Sequence, residues 1–171
     1  MNAMNLYILR HGTAVEHGAP GYENDDDARP LTSKGERKLW RVTEAMKAMG
    51  LEFDLILSSP LPRARQTAEI VAGAFKAQKK LKFSDDLKPN GSPKKLIRAL
   101  NVLSPHPENI LLSGHEPHLS GLISLLVSGD PSHEIELKKG GLCKLAIAEL
   151  RPGRCAMLQW LLTPKQMELM A

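Results

Sequence analysis

Arg10, His11 and Gly12 stand together directly after the apolar run Leu6, Tyr7, Ile8 and Leu9. A neutral imidazole can attack phosphorus, and a planar guanidinium pairs with phosphate oxygens in bidentate fashion. The tripeptide therefore suits phosphoryl transfer, with His11 attacking and Arg10 holding the oxygens. Gly12 carries no Cβ, so the chain can turn sharply there and let a ligand close to the backbone. Arg63 follows Ser58-Ser59-Pro60-Leu61-Pro62 at the expected start of a helix, where free N–H groups and the helix dipole also favour an anion. Gly114-His115 repeats the opening pattern of apolar run, glycine and histidine. Arg29 closes an acidic stretch and is a third cation able to reach a phosphoryl group.

These side chains need elements to bring them together. Leu6 to Leu9, Leu55 to Leu57 and Ile110 to Leu112 are short apolar runs of the kind found in buried parallel strands. Each ends in polar or glycine residues, so Arg10, His11, Arg63 and His115 fall at the carboxyl edge of one sheet, where open α/β folds bind ligands. Ser33 and Glu36 read as a capping box with Ser33 as N-cap, opening a helix that buries Leu39, Val42, Met46 and Met49 and ends at Gly50. A second helix from Arg63 packs Ala64, Thr67, Ala68, Val71 and Phe75. A third opens at Pro93 with Leu96, Ile97 and Leu100 inward, and a fourth spans Leu119 to Val127. A short strand is expected at Leu81 to Phe83 and a hairpin at Leu142 to Leu150 with Ala156 to Leu162, turning at Pro152-Gly153. Thr13 to Pro30 has no periodicity and reads as a loop that can fold over the site.

Composition narrows the class. The 171 residues suit one domain, 1–171, with an ordinary hydrophobic fraction of 42% and charged fraction of 25%, which excludes disordered and collagen-like classes. Net charge is +4 and the pI about 9.1, but cations and acids are interspersed and aromatics are 4%, so nucleic acid is not the expected partner. The basic balance suits an anionic substrate. No signal peptide or membrane-spanning run is expected, which points to the cytoplasm. Pairing about the hairpin turn sets Cys143 opposite Leu161, which disfavours a disulfide with Cys155. The run Asp25-Asp26-Asp27 lacks the spacing of a calcium loop, and His115 with His118 has the spacing of some metal pairs but no third ligand nearby, so no metal is expected.

Arg10-His11-Gly12, the segment SPLPRARQT at Ser59 to Thr67 and Gly114-His115 together resemble the histidine phosphatase superfamily, the phosphoglycerate mutase-like fold. RPLTSKG at Arg29 to Gly35, the short chain and WLLTPK at Trp160 to Lys165 are similar to the SixA-type phosphohistidine phosphatases. The resemblance implies a three-layer α/β fold with a mixed, mainly parallel central sheet and helices on both faces. It implies that His11 is transiently phosphorylated, that Arg10, Arg63 and His115 complete a phosphate pocket with Arg29 lining it, and that no cofactor is required.

Many members carry a Glu proton donor in a Leu, any residue, Glu pattern after the third strand, and here Leu87-Lys88-Pro89 puts a proline in that place. An alkoxide needs a proton to leave, since its conjugate acid has a pKa of roughly 16. Imidazole does not, because its conjugate acid has a pKa of about 6.5. Asp26 or Glu116 remains available as a proton donor. The expected activity is hydrolysis of phosphohistidine on a protein domain of the histidine phosphotransfer type, with signal transduction the setting. The alternatives are a small-molecule phosphomonoesterase of the same superfamily, a mutase, for which the chain lacks room for enclosing insertions, and a silent module that binds phosphorylated partners.

Overall fold

The computed structural model describes residues 3–171. Six strands form one sheet in the order β3-β2-β4-β1-β5-β6, with β1 Met4–Arg10, β2 Leu55–Ser58, β3 Leu81–Phe83, β4 Asn109–Gly114, β5 Leu142–Ile147 and β6 Ala156–Leu162. The pairs β1/β4, β2/β4 and β2/β3 are parallel, while β5 runs antiparallel to both β1 and β6. The helices are α1 Ser33–Ala48, α2 Pro62–Ala74, α3 Pro93–Asn101, α4 His118–Ser128 and α5 Pro164–Glu168.

Alternation along the strands divides the core in two. Leu6, Ile8, Leu55, Leu57, Ile110 and Leu112 face α3 and α4, packing on Leu96, Ile97, Leu100, Leu119, Leu122 and Ile123. Tyr7, Leu9, Ile56 and Leu111 face the other way, onto Val42 and Met46 of α1, Ala68 and Val71 of α2 and Met167 of α5. A central strand whose successive residues are buried on opposite faces must be apolar throughout, which is why β1, β2 and β4 read as unbroken runs. The three-layer α/β arrangement is the one the sequence implies. Cys143 pairs with Leu161 in the β5/β6 ladder and both cysteines are free.

The start of α1 differs from the capping box expected at Ser33 and Glu36. The N-cap is Thr32, in extended conformation, whose Oγ1 accepts from Gly35 N–H at 3.0 Å. Thr32 is pinned one residue early because its own N–H donates to Thr13 O at 3.0 Å. Gly35 fits there because a Cβ would lie 2.1 Å from that same carbonyl oxygen. Met49 is the C-cap rather than a member of the buried face, and Gly50 follows it at φ +67°.

Candidate functional site

Register carries the polar strand ends to one edge. Arg10 pairs with Gly114 and Ser58 with Ser113, and the ladders continue one residue further through His11 N–H to Gly114 O at 3.0 Å and Ser59 N–H to Ser113 O at 2.9 Å. His11 and His115 thus leave neighbouring parallel strands side by side, their ring centroids 5.2 Å apart. Ser59 leads from β2 into α2, whose second residue is Arg63.

The tautomer of His11 follows from its partner. Nδ1 lies 2.7 Å from Gly12 O, and a carbonyl oxygen only accepts, so Nδ1 holds the proton and the lone pair is on Nε2. Burial holds the imidazolium down, with pKa near 3; the Gly12 carbonyl opposes the shift, and Arg63, Arg10 and Lys139 add to it. The ring is therefore neutral first through desolvation and only then through the nearby cations. His115 Nε2 sits 2.8 Å from Ser59 Oγ, which accepts from Leu61 N–H at 3.3 Å and so has its own proton free to donate. When Ser59 Oγ donates, the ring proton is on Nδ1, and when it accepts with its second lone pair the proton is on Nε2. Burial, with His11 and Arg63 nearby, also brings His115 down to about 3.

Arg63 is 3% exposed, far from the solvated arginine its type suggests. Its Nη1 donates to Asp26 O at 2.9 Å and its Nη2 lies 3.5 Å from Asp26 Oδ2. Arg10 Nη1 donates to Leu137 O at 2.9 Å. Arg10 Nε, Arg63 Nε and His115 Nδ1 are buried and without a hydrogen-bond partner in the protein. Buried donors ordinarily find acceptors, so three orphans around one histidine fit a site built for an oxyanion with several oxygens.

The 13–30 segment does fold onto this edge. An Ala14 to Leu31 bridge closes it, and Leu31 N–H donates to Gln66 Oε1 at 2.8 Å. Asp26 is held by Arg29 Nε at 2.7 Å, and that hydrogen bond keeps its carboxyl below the ordinary range. Arg29 Nη1 donates to Val15 O at 2.6 Å, so Arg29 is engaged with its own loop while standing beside Arg63. Glu116 is partly buried next to His115, and its Oε1 accepts Ser120 N–H at 2.9 Å in the first turn of α4. Leu87, ahead of Lys88-Pro89, sets its carbonyl oxygen 3.1 Å from where a Cβ on Gly114 would be, so the segment after β3 does reach the His115 strand end.

Residue-type reasoning missed three contributors. Thr67 Oγ1 donates to Arg63 O at 2.7 Å and accepts Gly12 N–H at 3.0 Å, tying the loop after His11 to the helix that carries Arg63. Ser59 fixes the His115 ring. Lys139, after α4, adds positive charge near His11. Thr67 and Ser59 lie within the SPLPRARQT segment, which was the available signal; Lys139 had none. Gly12 is needed for close packing rather than for its backbone angles, since a Cβ would fall 2.6 Å from Leu39 Cδ1. His118 is buried with both ring nitrogens unpartnered, and no group of three metal-ligating residues occurs among the described residues.

Residues 6–88 match the model of the histidine phosphatase superfamily (branch 1), which takes in His11 and Arg63. An uncharacterized protein of Picosynechococcus is 38% identical over 143 residues, 83% of this chain and 84% of that protein. The chain belongs to the histidine phosphatase superfamily. In three dimensions it superimposes on the protein histidine phosphatase SixA complexed with tungstate at a TM-score of 0.79, covering 95% of this chain and 98% of that one at 21% identity. A shorter likeness, 37% over 71 residues, links it to the probable phosphoglycerate mutase GpmB of Klebsiella pneumoniae, and covers 42% of this chain but 32% of that protein. Among the described residues no helix is long and apolar enough to cross a membrane.

Proposed function

We propose that this member of the superfamily is a phosphatase that hydrolyses phosphohistidine on a protein, through a phosphohistidine intermediate on His11. The observation that carries the reading is a buried neutral imidazole, its lone pair fixed on Nε2 by the Gly12 carbonyl, within a group of orphaned donors from Arg10, Arg63 and His115. In the first step His11 Nε2 forms a bond to phosphorus as the substrate's P–N bond breaks, its electron pair passing to the leaving ring. The substrate ring already carries a proton from solvent on its second nitrogen, so neutral imidazole, whose conjugate acid has a pKa of about 6.5, departs and no strong acid is required of the enzyme. The phosphorylated His11 ring keeps Nδ1–H on Gly12 O, which steadies its positive charge. In the second step water attacks phosphorus, the P–Nε2 bond breaks with its electron pair returning to Nε2, and phosphate leaves with the added oxygen while the released proton goes to solvent.

Arg10, Arg63 and His115 hold the phosphoryl oxygens through both steps, as preorganised donors in a site largely shielded from water. Arg29 adds charge at the rim and fixes Asp26, which in turn orients Arg63. No cofactor enters the scheme.

The second reading, a small-molecule phosphomonoesterase, is favoured by the local likeness to a mutase and needs a proton donor. Asp26 is a poor one because Arg29 stabilises its ionised form, and the other carboxyl near the site is Glu116, which accepts Ser120 N–H. Wild type and His11→Ala assayed side by side on a phosphohistidine-bearing phosphotransfer domain and on p-nitrophenyl phosphate separate the readings. Turnover of the protein substrate that is lost with His11 supports the first. Fast monoester hydrolysis with none of the phosphoprotein refutes it.

A further inference from the structure

One face of α1 is strongly cationic and unpaired. Lys34, Arg37, Lys38 and Arg41 recur at the helical spacing of three and four, all exposed, and with Glu168 of α5 they line a shallow groove of about 400 Å³. None of the four forms an ion pair among the described residues, whereas Lys47, nearly two turns beyond Arg41, is paired with Glu44. Like charges at this spacing repel, and Glu168 is the one carboxylate lining the groove beside four cations, so the row costs stability that the fold does not explain. Trp40, beside Arg37, is 47% exposed. Tryptophan and arginine are among the residue types enriched at the energetic centres of protein interfaces.

The row begins at the end of α1 that abuts the site. Lys34 is in the first turn of α1, and the next residue, Gly35, abuts Thr13 two residues after His11. Leu39, between Lys38 and Trp40, packs against Gly12 and against Gly140, which follows Lys139. From Lys34 to Arg41 the row descends about 10 Å from the rim of the pocket, at roughly 1.5 Å per residue. A protein whose phosphorylated side chain enters the pocket must lay its own surface over that rim.

We propose that this face of α1 docks the phosphoprotein substrate, engaging a carboxylate-rich surface with an apolar patch for Trp40. The inference rests on the phosphoprotein reading above and deepens it. The cations steer the encounter and set its register, and Trp40 supplies a desolvated contact.

The test is Lys38→Glu/Arg41→Glu, with Lys79→Glu/Lys82→Glu as a charge-matched control at the amino end of β3. Two substrates are used, a phosphorylated histidine phosphotransfer domain and free phosphoimidazole, which has the same P–N bond and no protein surface. The expected result is a fall in kcat/KM on the domain of about tenfold or more, mainly through KM, with phosphoimidazole within about twofold and the control unaffected. Wild-type kcat/KM on the domain also falls between about 50 and about 300 mM salt, and the double variant loses that dependence. A variant that handles the domain as wild type does, or that loses both substrates equally, overturns the docking face while leaving the phosphatase reading in place. A wild type inactive on both substrates refutes that reading and its docking partner together.

Discussion

Lowering the pH from 8 to 5 should destabilise the protein through His11 in a way that isolates its burial. The unfolded imidazole has a pKa of about 6.5 and the native ring one of about 3, so between those values the unfolded chain binds a proton that the native one does not. Stability is therefore complete above about pH 6.5, falls as pH drops through that value, and reaches its full loss below the native pKa. At pH 5 the linkage is about 2 kcal/mol for this one residue. That figure hardly depends on the exact native pKa, provided it lies well below 5. Urea unfolding of wild type and His11→Asn at both pH values measures it as a double difference in which titrating groups away from His11 cancel, His115 being the neighbour that His11 itself influences. Asn can keep the donation to Gly12 O, so the change is mainly the loss of the titrating ring. Wild type should lose about 2 kcal/mol more than the variant between pH 8 and pH 5. Equal losses would refute the claim that His11 is buried and neutral in the native state, and with it the account of why Nε2 is free to attack.

Two substitutions probe how the site is held. Thr67→Val strands Gly12 N–H in the interior, while Arg63 O keeps its helical backbone donor, and urea midpoints should show a loss of about 1–3 kcal/mol together with turnover reduced on protein and small substrates alike. Gly12→Ala should cost about 1–3 kcal/mol by overpacking against Leu39, and Leu39→Ala introduced with it should give a double variant less destabilised than the sum of the two single ones, measured by thermal unfolding.

The layers were legible because their signal is local. Strands buried on both faces must be apolar throughout, and α3 repeats Leu96, Ile97 and Leu100 at helical spacing, so element type and sheet edge follow from short windows. The N-cap of α1 was displaced by a tertiary contact, the pinning of Thr32 by Thr13, which no window covering α1 alone contains. The same holds within the site. His11, Arg10, Arg63 and His115 were found as residue types at strand ends, but the depth of Arg63 depends on Asp26 arriving from a loop 37 residues away, and Thr67 looks like any small residue on a packed helix until Gly12 is placed against it.

Arg63 and the two histidines are buried at a cost that the fold itself does not recover. Desolvation works against the charged forms of Arg10, Arg63, His11 and His115 alike, and the acid that contacts Arg63, Asp26, is shared with Arg29. For the histidines the outcome is neutrality, which a nucleophile requires. For the arginines it is an excess of positive charge with donors unspent. In the proposed reaction a phosphoryl group supplies both the counter-charge and the acceptors, and it does so most fully when its oxygens carry the charge that redistributes in the transition state. The burial that destabilises the unliganded site is thus also what lets it discriminate in favour of the transition state, and Thr67, Ser59 and Asp26 keep that arrangement from relaxing in the meantime.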